Sequence, residues 1–330
     1  MHSRHLLLTA LGGVIVVGCT DKPSDVDSTP IVCEIEVDET FPANGATNAY
    51  YRGDIEFHLS EPYTDATIAV DGVTGTTWTN EDGDVVYFTP DAPLAPSTEY
   101  TATITTCQDT PITFSTSALG TTIGDVTSLN SATYTLDLQS GRIVIPPGVG
   151  SVLESYLEVT LFMQVEDANS TDISIFGAVA DDAGTAQDYC TETLDFPVAD
   201  FSEAPFFVVG PETTELAVAG YEITIEDLLI SGTFAADGSY WGGGVLAGQV
   251  DTRPLVDLVE EGGEDNAICE IVAGFGVACE TCPGDGEPYC LSIKAVELSG
   301  EETSVTIETI EMSDCHANCP DSANNPDCTL

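Results

Sequence analysis

The chain has 330 residues and carries 56 Asp and Glu against six Lys and Arg, for a formal net charge of −50. Hydrophobic content of 42% excludes global disorder and suits folded domains with real cores. A surface this acidic repels nucleic-acid phosphates and anionic lipid headgroups, which excludes a phosphate-binding role. The same self-repulsion destabilises a compact state unless salt screens it, so adaptation to saline surroundings is expected.

The chain opens with Arg4 in a short basic region and an uncharged, mostly apolar run from Leu6 to Gly18. This is the pattern of a secretory signal peptide, and the run is too short to span a bilayer, which takes about 20 apolar residues. Its end, Val16-Val17-Gly18-Cys19, resembles the lipobox of bacterial lipoproteins. That resemblance implies a signal peptide over residues 1–18 and acylation of Cys19. Thr20 follows, where the rule known for enteric bacteria places Asp for inner-membrane retention, so an outer-membrane or cell-surface location is expected. Residues 19–31 are polar and contain Pro23 and Pro30, the composition of a flexible tether.

From residue 32 to 118 the apolar positions alternate. Cys33, Ile35 and Val37 form one series, Ile55, Phe57 and Leu59 a second, and Tyr100, Ala102 and Ile104 a third. Turn pairs Asn44-Gly45, Asp71-Gly72 and Asp82-Gly83 lie between the runs. Period two with such turns predicts an antiparallel sandwich. The motifs FPANGATNAYYRGDIEFHLSEP, VVYFTPDAPLAPSTEYTATI and ITFSTS, in that order, resemble the bacterial Ig-like domain of surface and secreted proteins. The family implies a spacer or binding module without catalysis. Cys33 and Cys107 are the only cysteines of this module, and a bridge between them is expected. By chain entropy it contributes about 4 kcal/mol.

Residues 119–330 stay β-rich. Alternation marks strands at Tyr134–Leu138, Val159–Val165, Ile173–Ile175 and Tyr221–Ile225, and Asp237-Gly238 predicts a hairpin turn. Short helices are expected at residues 150–157 and 265–274. The fold class is therefore mainly β: an N-terminal Ig-like sandwich, then a larger β-sandwich or barrel with short helices and a disulfide-rich C-terminal segment. The stretches PPGVGSVLESYL, ISGTFAADGS and CETCPGDGEPYCL are similar to parts of cysteine-rich secreted lipoproteins of unknown function, a likeness that transfers no activity.

With Cys19 acylated, ten cysteines remain: Cys33, Cys107, Cys190, Cys269, Cys279, Cys282, Cys290, Cys315, Cys319 and Cys328. An even count in an exported chain favours disulfides throughout. Cys279-x₂-Cys282 with Cys290, Cys315, His316 and Cys319 also has the spacing of a tetrahedral zinc site, and a thiol–disulfide redox role is a third reading. Hard-oxygen loops at 80–84, at Glu166, Asp167 and Asp172, and at Glu260, Glu261, Glu264 and Asp265 could take calcium, although none has EF-hand spacing. His58 lies on the polar side of its strand, and no catalytic signature occurs. Tyr50, Tyr51, Trp78, Phe206, Phe207, Tyr240 and Trp241 are the aromatics that could contact a sugar or a protein.

No catalytic residue, metal ligand or cofactor is assigned. The expected function is a non-catalytic, envelope-anchored lipoprotein. Its Ig-like spacer presents a disulfide-stabilised β-domain to an unknown protein or glycan partner, with a membrane contact through the lipid on Cys19. The alternatives are a carbohydrate- or small-ligand-binding lipoprotein and, behind it, an exported hydrolase with an unrecognised carboxylate pair.

Overall fold

The computed structural model describes residues 33–147, 160–181, 183–218, 221–259 and 262–311. The signal run, Cys19, the tether, the expected helix at 150–157 and the cysteines at 315, 319 and 328 lie outside the described residues.

The N-terminal module is an Ig-like sandwich of two antiparallel sheets. One contains β1 (Val37–Phe41), β2 (Ile55–Leu59), β4 (Gly75–Thr79) and β5 (Val85–Pro90), in the order β1-β2-β5-β4. The other contains β3 (Thr67–Val70), β6 (Glu99–Thr105) and β7 (Asp109–Ser115), in the order β3-β6-β7. The alternating residues face each other across the sandwich: Ile55, Phe57 and Phe88 from the first sheet pack with Ile104, Ile112 and Phe114 from the second. One strand departs from the alternation. β2 buries Glu56 as well as its inward neighbours, so something covers the outer face of the sheet there. That cover is the second module.

The second module is a ten-stranded sheet built from β8 (Thr133–Asp137), β9 (Arg142–Ile145), β10 (Thr160–Ala168), β11 (Asp172–Val179), β12 (Leu194–Asp195), β13 (Ala199–Asp200), β14 (Phe206–Val218), β15 (Tyr221–Phe234), β16 (Tyr240–Asp251) and β17 (Cys290–Thr303). The order is β12-β11-β10-β8-β17-β16-β15-β14, with β9 on β17 and β13 on β11. Because β13 also lies against β14, the two edges approach and the sheet becomes nearly a closed barrel. Its interior is aromatic. Phe234 stacks on Phe207 at 4.7 Å and meets Tyr134 at 5.3 Å, while the fully buried Trp241 donates its Nε1–H to the Thr135 carbonyl at 3.0 Å. The predicted Asp237-Gly238 turn joins β15 to β16, with Gly238 at φ 76°, a left-handed conformation that glycine adopts without a Cβ clash.

Two irregular segments complete this module. Residues 252–289 leave the sheet between β16 and β17 and form a cap with α1 (Val256–Val259) and α2 (Ala267–Ala273), the second within the helix expected at 265–274. Disulfides Cys269–Cys279 and Cys282–Cys290 hold this cap together. After β17, residues 305–311 run as a strap without a strand partner. Gln187 substitutes for one: its Oε1 accepts from the Glu308 N–H at 2.8 Å and its Nε2–H donates to the Glu308 carbonyl at 2.9 Å. Gln164 accepts from the Ile307 N–H at 2.8 Å, and Thr193 accepts from the Ile310 N–H at 3.0 Å. Ile307 and Ile310 are buried under the strap.

Candidate functional site at the joint between the modules

The covered face of the Ig sheet is where charge, aromatic rings and both modules meet. Arg142, the first residue of β9, reaches across to the Ig module. One of its guanidinium N–H groups donates to Glu56 Oε1 at 2.6 Å, and its guanidinium carbon lies 3.9 Å from the centre of the Phe41 ring. Glu297 on β17 stands 3.4 Å away on the other side. Burial opposes the Arg142 charge, but the Glu56 hydrogen bond and charge, with Glu297, outweigh it and hold the guanidinium above its ordinary value. Glu56 mirrors this. Burial pushes its carboxyl up, while hydrogen bonds from His58 (3.3 Å) and Arg142 outweigh burial and hold it below the usual carboxylate range. His58, placed by its alternation on the polar side of its strand, is half-buried and engaged with Glu56.

A second arginine makes the reverse crossing. Arg52 of the Ig module pairs with Glu203 of the β-domain at 2.6 Å and lies 3.9 Å from the centre of the Phe206 ring. Between the two bridges the joint is aromatic. Tyr50 Oη lies 2.8 Å from Thr233 Oγ1, itself fully buried, and burial pushes the Tyr50 phenol well above its ordinary value. The Tyr50 ring occupies the space that a side chain at position 243 would fill, so Gly243 is required by contact as well as by its φ of 62°. Ala235, from the β15–β16 turn, completes the Ig core cluster together with Leu119.

Away from the joint, the outer Ig face opens to solvent. Strand pairing sets Phe41 beside Glu56, Glu56 beside Tyr87, and Tyr87 beside Trp78, one row across all four strands. Trp78 stacks on Tyr87 with centroids 4.0 Å apart and planes 9° from parallel. Burial, followed by the Glu56 charge, raises the Tyr87 phenol. Of the seven aromatics singled out from the sequence, Tyr51, Phe207 and Trp241 are buried, Tyr50, Phe206 and Tyr240 are half-buried, and Trp78 alone is exposed, at 45%.

The metal readings fare differently. Among the described residues, the one grouping of three convergent donors is Glu226 with Cys282 and Cys290, whose sulfurs are already bonded to each other and offer no thiolate. The Cys279-x₂-Cys282 pair is split between two disulfides. Cys33, Cys107 and Cys190 are each disulfide-bonded as well. In the loop at 80–84, Asn80 satisfies itself locally, donating to Asp84 at 2.7 Å and accepting from the Val85 N–H. Asp167 accepts from Asn130 and Asp172 from Thr171.

Sequence reasoning missed the Glu56–Arg142 and Arg52–Glu203 pairs. The signal that could have found them is scarcity. In a chain with 56 acids and six basic residues, each described arginine is matched to a carboxylate, the third being Arg253 with Asp251 and Asp285 at 2.6 and 2.7 Å.

Comparison with known proteins agrees on the first module. A family model described as the bacterial Ig-like domain matches residues 32–118. No curated protein matches. Among solved structures, an L,D-transpeptidase (LdtMt1) in complex with imipenem aligns at 21% identity and TM-score 0.20, over 24% of this chain. The alignment spans only 39% of that protein's length. An L,D-transpeptidase from Mycobacterium smegmatis aligns at 14% identity over 47% of this chain and 79% of its own, TM-score 0.23. Mycobacterium tuberculosis L,D-transpeptidase 1 aligns at 13% identity over 47% and 82%, TM-score 0.21. Superpositions this loose carry no argument about chemistry.

Proposed function

We propose that the protein is a non-catalytic, lipid-anchored envelope protein in which the Ig-like module holds the disulfide-stapled β-domain outward as one rigid arm. The observation that carries this reading is the reciprocal crossing of Arg52 and Arg142. Two of the chain's few cations join the modules, each seated on an aromatic ring of the other module and paired with one of its carboxylates. A flexible tandem has no need of such a joint. The Ig family match suits a surface protein. No helix among the described residues is long and apolar enough to cross a membrane.

Two measurements test the two halves of the proposal. Cys19→Ala should move the protein from the membrane fraction to the soluble exported fraction; continued membrane retention overturns the anchor. Spin labels at the exposed positions Ser60 and Val198 should give a narrow distance distribution that broadens in an Arg52→Ala, Arg142→Ala double variant. A broad distribution in the unaltered chain overturns the rigid arm. Peptide mapping of the same material should recover Cys33 linked to Cys107; any other pairing of those two removes the expected bridge.

A further inference from the structure

Trp78 is the largest apolar side chain left on the Ig surface, and its setting is built rather than incidental. It sits on β4, the edge strand of its sheet, with one ring face on Tyr87 and 45% of the residue exposed. Since one face is covered by a parallel ring, the exposed area is the opposite face and an edge. The orientation of that face is fixed from two sides. Its Nε1–H donates to Thr89 Oγ1 at 3.0 Å, and the Thr89 hydroxyl donates in turn to Asp54 Oδ1 at 2.8 Å. Thr76, paired with Thr89 on the same face, adds a second exposed hydroxyl.

We infer that this is a glycan-binding platform: the open indole face takes the C–H face of an uncharged pyranose ring, while Thr76, Thr89 and Asp54 meet its hydroxyls. Two observations favour that ligand. A flat ring presented singly suits another flat ring, because dispersion contacts add up only where the surfaces match. A cation can also sit on a single ring face, as Arg142 and Arg52 do on Phe41 and Phe206, so choline is the competing ligand that the test includes. The field chooses among sugars. Glu56, Asp54 and Asp84 act electrostatically on Tyr87, directly beneath the indole, with Arg142, itself paired with Glu56, the opposing charge; Asp54 and Asp84 remain uncompensated there, so uronic or sulfated glycans are repelled. An ordered, already hydrogen-bonded indole also loses little conformational freedom on binding. The inference goes beyond the envelope-arm reading and does not depend on the lipid.

The chain reports on this site by itself. It contains two tryptophans, and Trp241 is fully buried, so solvent-sensitive emission comes from Trp78. The full chain is titrated with cellohexaose, chitohexaose, a polygalacturonate hexamer and choline, each to about 10 mM, a range that captures millimolar affinities. The expected result is a saturable blue shift with at least one of the two uncharged oligosaccharides and none with polygalacturonate or choline. Isothermal calorimetry should show binding weakened at least about tenfold in Trp78→Ala, partly restored in Trp78→Phe and weakened in Thr89→Val, which unpins the indole. Melting temperatures near that of the unaltered chain establish that the variants fold. Absence of a saturable response to both uncharged oligosaccharides, binding of choline or polygalacturonate instead, or unchanged affinity in a folded Trp78→Ala protein each overturns the platform.

Discussion

Glu56 and Arg142 show how single residues acquire meaning only from the other module. Glu56 lies on a strand whose alternation marks it as an outward, solvated acid, yet it is 9% exposed because Arg142 closes over it. Removing the guanidinium in Arg142→Met leaves a largely buried carboxylate with only His58 beside it. The expected loss is about 1–3 kcal/mol, between that of an exposed pair and that of a fully buried one, measured as a shift in urea midpoint. The pair also has a pH signature. The folded-state value of Glu56 is held below its unfolded value, so its contribution is complete above about pH 5. It is lost as the pH falls through the depressed folded value. Glu56→Gln should flatten that acid limb of the stability curve, and an acid limb unchanged by the substitution would separate Glu56 from it. Little of this could be read from sequence. Tyr50 and Thr233, whose oxygens lie 2.8 Å apart, are separated by 183 positions, and local periodicity carries no information over that distance. Trp78 was visible as a candidate but could not be told from Trp241, since both sit in strand-like stretches and only the fold decides which one is covered.

At the scale of elements, the regular strands were the legible part, because period-two alternation is itself the signature of one buried face. β2, β6, β8, β10 and β11 fall where the apolar residues alternate, and the β15–β16 hairpin turns at Asp237-Gly238. The strap at residues 305–311 was not legible, for a definite reason: apart from the Thr193 N–H donating to the Ile310 carbonyl, its backbone bonds run to side chains, those of Gln164, Gln187 and Thr193 among them, and no sequence period encodes that. Gln187 mimics a neighbouring strand by offering one donor and one acceptor to the same peptide unit of Glu308. Gln187→Met keeps the bulk and removes both bonds. Its expected cost is about 1–3 kcal/mol, with faster hydrogen exchange at the Glu308 and Ile310 amides than at β17. Unaltered exchange there would mean that the buried Ile307 and Ile310 hold the strap without Gln187. The cap depends on sulfur instead. Cys269–Cys279 and Cys282–Cys290 close short loops, each contributing about 2.5–3 kcal/mol by chain entropy. Cys282→Ser with Cys290→Ser should therefore lower stability by roughly that amount and expose 252–289 to protease first, while the Ig module, which shares no cysteine with the cap bridges, keeps its protection.

The whole molecule is governed by its charge of −50. Two electrostatic effects of opposite sign follow, and salt separates them. The three described arginine bridges are attractive and weaken as ions screen them. The repulsion among the surplus carboxylates weakens too, and it involves many more charges spread over the surface. At about 0.1 M salt the Debye length of roughly 10 Å still lets neighbouring carboxylates repel one another, whereas near 1 M it shrinks to roughly 3 Å. The arginine pairs are in contact and partly buried, so they lie inside even the shorter length and lose little. The screened repulsion is the larger change, and it favours the compact state. The melting temperature should therefore rise steadily between low salt and about 1 M NaCl. The Arg142→Met variant should rise at least as steeply, because it has one attraction fewer to lose. Replacing NaCl by a neutral osmolyte at equal osmolality should not reproduce the rise. A flat or falling melting temperature in NaCl would mean that the carboxylates sit far enough apart to be indifferent to one another, and that the acidity serves solubility alone.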